Sequence, residues 1–400
     1  MGHIGIGVAA ITAVLLMTSL LHGQFAGYGI GAPEPNSYSQ ETPQSPGSPS
    51  DDSAPASAGK GSQKVSRGSF VLAPLPISSP ALGSGIIPIG AYIFSLSSRD
   101  KISPPSVIGA AGLITDNDTR AFAVFGQLFF KRDTYRFTGA FFQGNLNYNL
   151  YGTGAVAGNE GLKIPLSQEG SIFFLEALRQ LKWNVYVGPR VLTGHSLITL
   201  RSDDTLSVPV PPDTGLRTKL VSLGLSIKRD TRSNQFYPQS GSLLGFTSDF
   251  FSKTLGSKYS FQSYRATVNK YWSLSPKQVV AYNAFLCATG GQPPFYGNCM
   301  YGTNNELRGY EAGRYLDRYM IATQLEYRLG LPKRFGVAAF GGIGGVAHEP
   351  IEFLRSSNLL PAVGGGLRFM LSKQHHLNLR VDIAAGKNEY TFSMGVGEAF

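Results

Sequence analysis

Charge is scarce in this chain. Only 15% of its 400 residues are Asp, Glu, Lys or Arg, against roughly 25% in an ordinary soluble domain. Long apolar runs are scarcer still: beyond residue 30 nothing approaches the ~20 consecutive apolar residues of a membrane-spanning helix. The first shortage argues against two or three soluble domains, and the second excludes a helical membrane protein. A transmembrane β-barrel produces both together, because only every second residue of its strands faces lipid. Clustered basic residues are also missing. The net charge is +10, from 35 Lys and Arg against 25 Asp and Glu. The cations are scattered, however, and no basic helix or zinc-ligand set is present, so nucleic acid is excluded and anionic headgroups or an anionic solute are the expected counterpart.

Catalytic signatures are absent too. No Gly-x-Ser-x-Gly elbow, His-Glu-x-x-His helix or phosphate-cradling loop occurs. His375 and His376 are adjacent, and neighbours in a strand point to opposite faces, so they cannot share a metal from one wall. His195 with Ser196 and Asp203-Asp204 is the single cluster that could serve an enzyme of the outer rim. We expect no catalytic residue, no cofactor and no metal.

From Phe70 onward the chain has a period of two. Leu377, Leu379, Val381, Ile383 and Ala385 alternate with His376, Asn378, Arg380 and Asp382. Tyr319, Ile321, Leu325, Tyr327 and Leu329 alternate with Arg318, Gln324, Glu326 and Arg328. A helix would bury every third or fourth position, so these are strands with one apolar and one polar face. Sixteen such segments can be placed, at 70–78, 84–97, 104–114, 119–131, 134–149, 163–179, 182–198, 216–231, 240–252, 258–272, 277–290, 317–330, 334–347, 360–372, 375–386 and 389–400. With a periplasmic N-terminus, the long connections (150–162, 199–215, 291–316 and 348–359) fall outside and the short turns fall inside, as in outer-membrane barrels. The expected fold is therefore all-β, a 16-stranded antiparallel transmembrane β-barrel over 70–400.

Residues 4–21 are almost wholly apolar and predict a signal peptide over 1–23, although the leading segment has no Lys or Arg; an uncleaved anchor helix is the alternative. The Pro-, Ser- and Gly-rich stretch that follows cannot bury enough surface to offset its ordering entropy, and predicts a disordered periplasmic linker over 24–69. Cys287 and Cys299 flank a turn-rich segment. Their spacing permits a loop-closing disulfide in an oxidising compartment, with two free thiols as the other reading.

The longest outer connection contains Tyr301-Gly302-Thr303-Asn304-Asn305-Glu306-Leu307-Arg308-Gly309-Tyr310. A guanidinium cannot shed its charge, so an Arg in a long loop beside a lipid-facing wall needs a reason. One reason is a loop that folds back into a polar lumen and pins itself there through Arg308. The alternative is an ordinary solvated loop with a Gly turn.

These residues resemble the bacterial surface-antigen family of outer-membrane barrels, which includes the central subunit of the barrel-assembly machinery, the translocation-and-assembly subunit and the two-partner secretion transporters. The resemblance covers about 70–400. It rests on Leu307-Arg308-Gly309-Tyr310, on Ile227-Lys228-Arg229-Asp230-Thr231-Arg232 with Phe236-Tyr237-Pro238 and Gly241, on Leu325-Glu326-Tyr327-Arg328, on Gly364-Gly365-Gly366-Leu367-Arg368-Phe369, and on the terminal Phe400. It implies that the Arg308 loop enters the lumen. The family places an acid on the thirteenth strand to receive the loop Arg, but this chain has Gly342 in Phe340-Gly341-Gly342-Ile343-Gly344. Glu326 or Asp382 is the expected substitute. Tyr390, Phe392, Met394, Val396 and Phe400 resemble the C-terminal signal read by the assembly machinery, with Glu398 expected at the polar interface.

The implied setting is the outer membrane of a Gram-negative bacterium, among outer-membrane lipids. The implied role is assembly or translocation of protein or lipid, with protein clients or a periplasmic partner in trans, since 24–69 does not resemble the family's client-binding periplasmic domains. A passive or gated channel is the alternative.

Overall fold

The computed structural model describes residues 68–79, 82–100, 102–161, 163–201, 216–302, 306–355, 358–372 and 376–400. The signal peptide expected over 1–23 and nearly all of the linker expected over 24–69 lie outside these residues, as do Asp203 and Asp204. The alternating segments become strands: β1 Gly68–Ser79, β2 Gly83–Phe94, β3 Ser106–Thr115, β4 Arg120–Phe130, β5 Tyr135–Leu150, β6 Ile164–Gln180, β7 Val185–Leu200, β8 Leu216–Asp230 and β9 Gly241–Phe251. They continue as β10 Phe261–Ser275, β11 Gln278–Gly291, β12 Cys299–Tyr301, β13 Tyr315–Asp317, β14 Tyr319–Gly330, β15 Phe335–Ala347, β16 Leu360–Ser372, β17 Leu377–Gly386 and β18 Glu389–Val396.

Sixteen of these form one sheet in chain order, with β11 paired to β14, while β12 and β13 form a separate two-stranded ribbon. Each strand runs antiparallel to its neighbours, and the long β5–β6 ladder extends from Tyr135 opposite Arg179 to Leu150 opposite Ile164. Among the described residues no ladder joins β1 to β18. The two edges are nonetheless neighbours, since Ala73 and Leu75 share an apolar cluster with Val396. The result is a nearly closed barrel with one seam.

Period-two alternation sorts adjacent side chains to opposite faces. Leu325, Leu367 and Ile383 are more than half exposed on the outside, while Glu326, Arg368 and Asp382 beside them are buried in the lumen. No helix among the described residues is long and apolar enough to cross a membrane; the crossing elements are strands.

The wall is not uniformly polar inside. Ile89, Ala91, Ile93 and Val107 of β2 and β3 turn apolar side chains inward and cluster with Phe236, from the inner β8–β9 connection, and with Leu377. That connection (231–240) and the one over 95–105 are longer than the short inner turns that the loop asymmetry implied.

Two boundaries differ from the sequence reading. The first strand begins at Gly68, inside the expected linker. The last ends at Val396 instead of continuing to Phe400. Gly397, at φ +91°, breaks the extended run, and the chain turns into the lumen.

Candidate functional site

The loop after β11 is built as a hairpin anchored at its root. Cys287 points inward near the outer end of β11 and is disulfide-bonded to Cys299 of β12, with Cα atoms 5.8 Å apart. The β12–β13 ribbon pairs Cys299 with Asp317 and Tyr301 with Tyr315, and residues 306–314 lie beyond it at the tip of the loop. A short helix in the β5–β6 connection, α1 (Ala155–Glu160), lies against this ribbon. The Gly154 amide donates to the Leu316 carbonyl at 2.8 Å, and Arg314 Nε donates to the Gly158 carbonyl at 3.0 Å. Two outer loops thus brace each other over the lumen.

At the tip, the Arg308 side chain is 1% exposed. Its Nη1 donates to Asp382 Oδ2 at 2.7 Å, its Nη2 to Glu326 Oε2, and its Nε to Gln324 Oε1 at 3.2 Å. The guanidinium carbon sits 3.4 Å from the centroid of the Phe340 ring. A planar, always-charged fork suits this site: two carboxylates from different strands and an aromatic face all engage it at once. Glu326 and Asp382, which the sequence offered as alternatives, are both used. Sequence reasoning missed Phe340 and Gln324. Phe340 sat in the quoted Phe-Gly-Gly-Ile-Gly run and could have been found there as the aromatic on the lumen-facing parity.

The neighbours of Arg308 explain the unusual Gly342. A Cβ at Gly342 would come within 2.5 Å of Leu307 Cδ1 and 2.2 Å of the Thr323 carbonyl. The wall space where the family carries an acid is occupied here by Leu307, which is fully buried. Gly309 adopts φ +117°, and a Cβ there would lie 2.9 Å from that of Ala362, so it needs glycine on both counts. Tyr310 donates its hydroxyl to the Pro361 carbonyl and accepts from the Lys387 amide at 2.9 Å.

The anchor belongs to a larger network. Glu326 also takes Arg328 and Arg368, the latter at 3.5 Å. Asp382 takes Arg368 at 2.6 Å and Arg380 at 3.7 Å. Glu398 receives Arg368 Nε at 2.8 Å and Asn378 Nδ2 at 2.7 Å. The expectation that Glu398 rests at the polar interface is therefore corrected: it is an inward-facing partner, because the chain has already left the wall at Gly397. Phe400 likewise does not extend the lipid-facing row. Its ring packs with Tyr271 and Ala281 in the lumen, and its backbone oxygen accepts from Arg328 Nη2 at 3.0 Å. Of the predicted C-terminal row, Tyr390 and Phe392 face outward, whereas Val396 is buried near the seam.

A second acid pair sits above the anchor. Tyr151 donates to Glu311 Oε2 at 2.8 Å, and the Glu311 amide donates to Glu389 Oε2 at 2.9 Å. Burial raises the Glu311 carboxyl above its ordinary range, the Tyr151 hydrogen bond opposes this, and the Glu389 charge adds to it.

Of the candidate enzyme cluster, His195 and Ser196 are described, and they point to opposite faces of β7. Ser196 is buried inside the barrel, while His195 lies on the outer face, 3.3 Å from Ser171 Oγ. Among the described residues no group of three or more His, Cys, Asp or Glu could hold a metal ion.

A model of the Omp85 superfamily domain matches residues 131–400. No curated protein matches the chain. Among solved structures, the chain is similar to BamA from Haemophilus ducreyi lacking POTRA domains 1–3, at 13% identity and TM-score 0.52 over 83% of this chain and 70% of that one. It is also similar to CdiB from Acinetobacter baumannii, at 13% identity and TM-score 0.53 over 82% of this chain and 59% of that one. CdiB from Escherichia coli is 11% identical at TM-score 0.52, over 82% and 61%. The chain spans about three-fifths of the length of the two CdiB chains. At these identities the likeness is one of fold.

Proposed function

The chain belongs to the Omp85 superfamily, and from that premise we propose that it is an outer-membrane barrel acting in assembly or translocation of protein, gated at the seam between β1 and β18. The observation that carries this reading is the unpaired seam in a barrel whose lumen is occupied by an anchored loop. Fifteen ladders hold the sixteen-stranded sheet together, and none joins its two ends among the described residues. Strand edges present free N–H and C=O groups that can pair with another chain. A passive pore gains nothing from an open edge.

In this reading Leu307, Arg308, Gly309 and Tyr310 lock the outer loop into the lumen. Tyr390, Phe392, Met394, Val396 and Phe400 form the signal by which the assembly machinery inserts this chain. Such a signal is read before the barrel forms, so the later burial of Phe400 does not conflict with it. Protein clients, and a periplasmic partner that presents them, are the proposed company of the barrel. We assign it no catalysis.

Cysteines introduced in pairs along 71–75 and 392–396 test the gate. Oxidising a pair across the seam should lower the envelope content of other barrel proteins or of exported proteins, and reductant should restore it. Full function with the seam covalently shut would overturn the proposal and favour a channel.

A further inference from the structure

The lipid-facing wall carries charge that the lumen network does not use, at the short-turn end of β5–β8. Arg179 shares the outward parity of Phe173 and Leu175 on β6, and Arg229 that of Leu223, Leu225 and Ile227 on β8, all of them exposed. Lys131 and Lys182 stand exposed on the adjoining β4–β5 and β6–β7 turns. Backbone bonds hold this set together. The Gln180 amide donates to the Thr134 carbonyl at 2.7 Å, and the Asp230 amide to the Asn184 carbonyl at 3.2 Å. Tyr135 lies opposite Arg179 across the β5–β6 ladder, with Lys131 Nζ 5.5 Å from its ring centroid. Trp183, at the tip of the β6–β7 turn, is 81% exposed.

Among the described residues no side-chain hydrogen bond or ion pair holds Lys131, Arg179, Lys182 or Arg229. The carboxylates near this end are engaged elsewhere. Asp100 accepts from the Ile102, Ser103 and Arg132 amides, Asp133 pairs with Arg136, and Asp230 pairs with Arg136 and Arg232. Lumen-facing Lys228, next to Arg229 in the chain, has Glu176 at 2.6 Å. On these strands the inward cations are matched by acids and the outward ones are not. A guanidinium keeps its charge beside lipid, so Arg179 and Arg229 draw their counter-charge from the membrane boundary. Long cationic side chains reach to headgroup level, and Trp rings favour the same depth.

We propose that this rim binds the headgroups of anionic phospholipid in the adjoining leaflet, with phosphatidylglycerol the simplest case. Arg179 and Arg229 fork onto phosphate oxygens, Lys131 and Lys182 add attraction at the turns, and Trp183 rests at the level of the lipid glycerol. A zwitterionic lipid offers the same phosphate beside an ammonium group, which these cations repel, so a net negative headgroup is selected. Short turns face the periplasm in an outer-membrane barrel, which makes this the inner leaflet. The rim lies on the outside of β4–β8 and uses neither the β1–β18 seam nor Arg308, so it can fail without the gate and the gate without it.

Trp183 is its own reporter, because the chain has only one other Trp, Trp272. The full chain carrying Trp272→Phe is reconstituted in phosphatidylcholine vesicles with a minor share of phosphatidylglycerol. One lipid or the other is brominated near the glycerol end of its acyl chains, at equal mole fraction, and quenching of Trp183 is read. Brominated phosphatidylglycerol should quench roughly three times as effectively as brominated phosphatidylcholine, and high salt should shrink the difference. Arg179→Gln with Arg229→Gln should abolish the preference. Lys131→Gln with Lys182→Gln should lower it in part, which leaves a second route should the first pair fail to insert. A soluble phosphate source would appear as loss of the preference on adding inorganic phosphate, but not chloride, at matched ionic strength. That loss, equal quenching by the two lipids in the parent, or an unchanged preference in the inserted Arg179→Gln, Arg229→Gln barrel would each overturn the proposal.

Discussion

Replacing Arg308 with Ala removes two charge-assisted hydrogen bonds, one amide contact and a stacked ring from the loop tip. Hydrogen bonds to charged groups contribute about 1.5–3 kcal/mol each, and a desolvated cation–π contact about 2 kcal/mol. The sum overstates the loss, because the acids are not orphaned: Glu326 keeps Arg328 and Arg368, and Asp382 keeps Arg368 and Arg380. The network also changes from four Arg (308, 328, 368 and 380) facing three acids (Glu326, Asp382 and Glu398) to three facing three. A loss of about 3–5 kcal/mol in loop anchoring is therefore expected. That corresponds to local opening raised roughly a hundredfold or more, with the wall intact. Hydrogen exchange of the 306–311 segment in micelles measures this directly. It should quicken by that factor, while strand amides and the heat-modifiable gel band stay as in the parent. Arg308→Lys should recover part of the protection, since a point charge cannot hold both acids in a fork. Unchanged exchange in 306–311 would show that the loop is held by its disulfide and tyrosines alone, and the anchoring argument would be wrong.

Four further outcomes follow from the same contacts. Glu326→Gln leaves four Arg against two acids, so it should lower the unfolding temperature of the whole barrel more than Arg308→Ala does, as read by heat-modifiability. Gly342→Asp, which puts back the family's acid, should destabilise the loop, because Leu307 already fills that space; a gain in protection of 306–311 would refute this. Cys287→Ser opens a ring with a sequence separation of 12 and should weaken loop closure by about 3 kcal/mol in the chain-entropy model, seen as faster proteolysis of 292–318. Because burial raises the Glu311 carboxyl, the packed loop binds a proton more readily than the free one. Its stability should therefore be greater below the raised value and fall as pH rises through the window above the ordinary carboxylate range. The pH dependence of exchange in 306–311 should flatten in Glu311→Gln.

Much of the barrel was legible because alternation is a one-dimensional signal. Gln374–Ala385 and Arg318–Leu329 show their two faces residue by residue, and each becomes a strand within two residues of its expected bounds. The Leu307–Tyr310 motif and the two acids could also be read, since a charged group in a low-charge chain must be matched. Three things could not. β2, reading GSGIIPIGAYIF, is apolar on both faces, so nothing in it tells lumen from lipid or announces an apolar half-wall. The inward turn of Gly397–Phe400 depends on Arg328 and Arg368, which lie on distant strands and meet Glu398 only after the barrel forms. The bracing of the loop by α1 joins residues more than 150 positions apart, a distance at which local pattern carries no information.

Planar-bilayer recording of the purified parent barrel beside Arg308→Ala tests the central claim, that the Arg308 loop closes the lumen of a seam-gated assembly barrel. The parent should be closed for most of the record, with brief openings, and Arg308→Ala should conduct more often and for longer. Large steady currents through the parent, unaltered by the substitution, would contradict the account and leave a passive channel in its place.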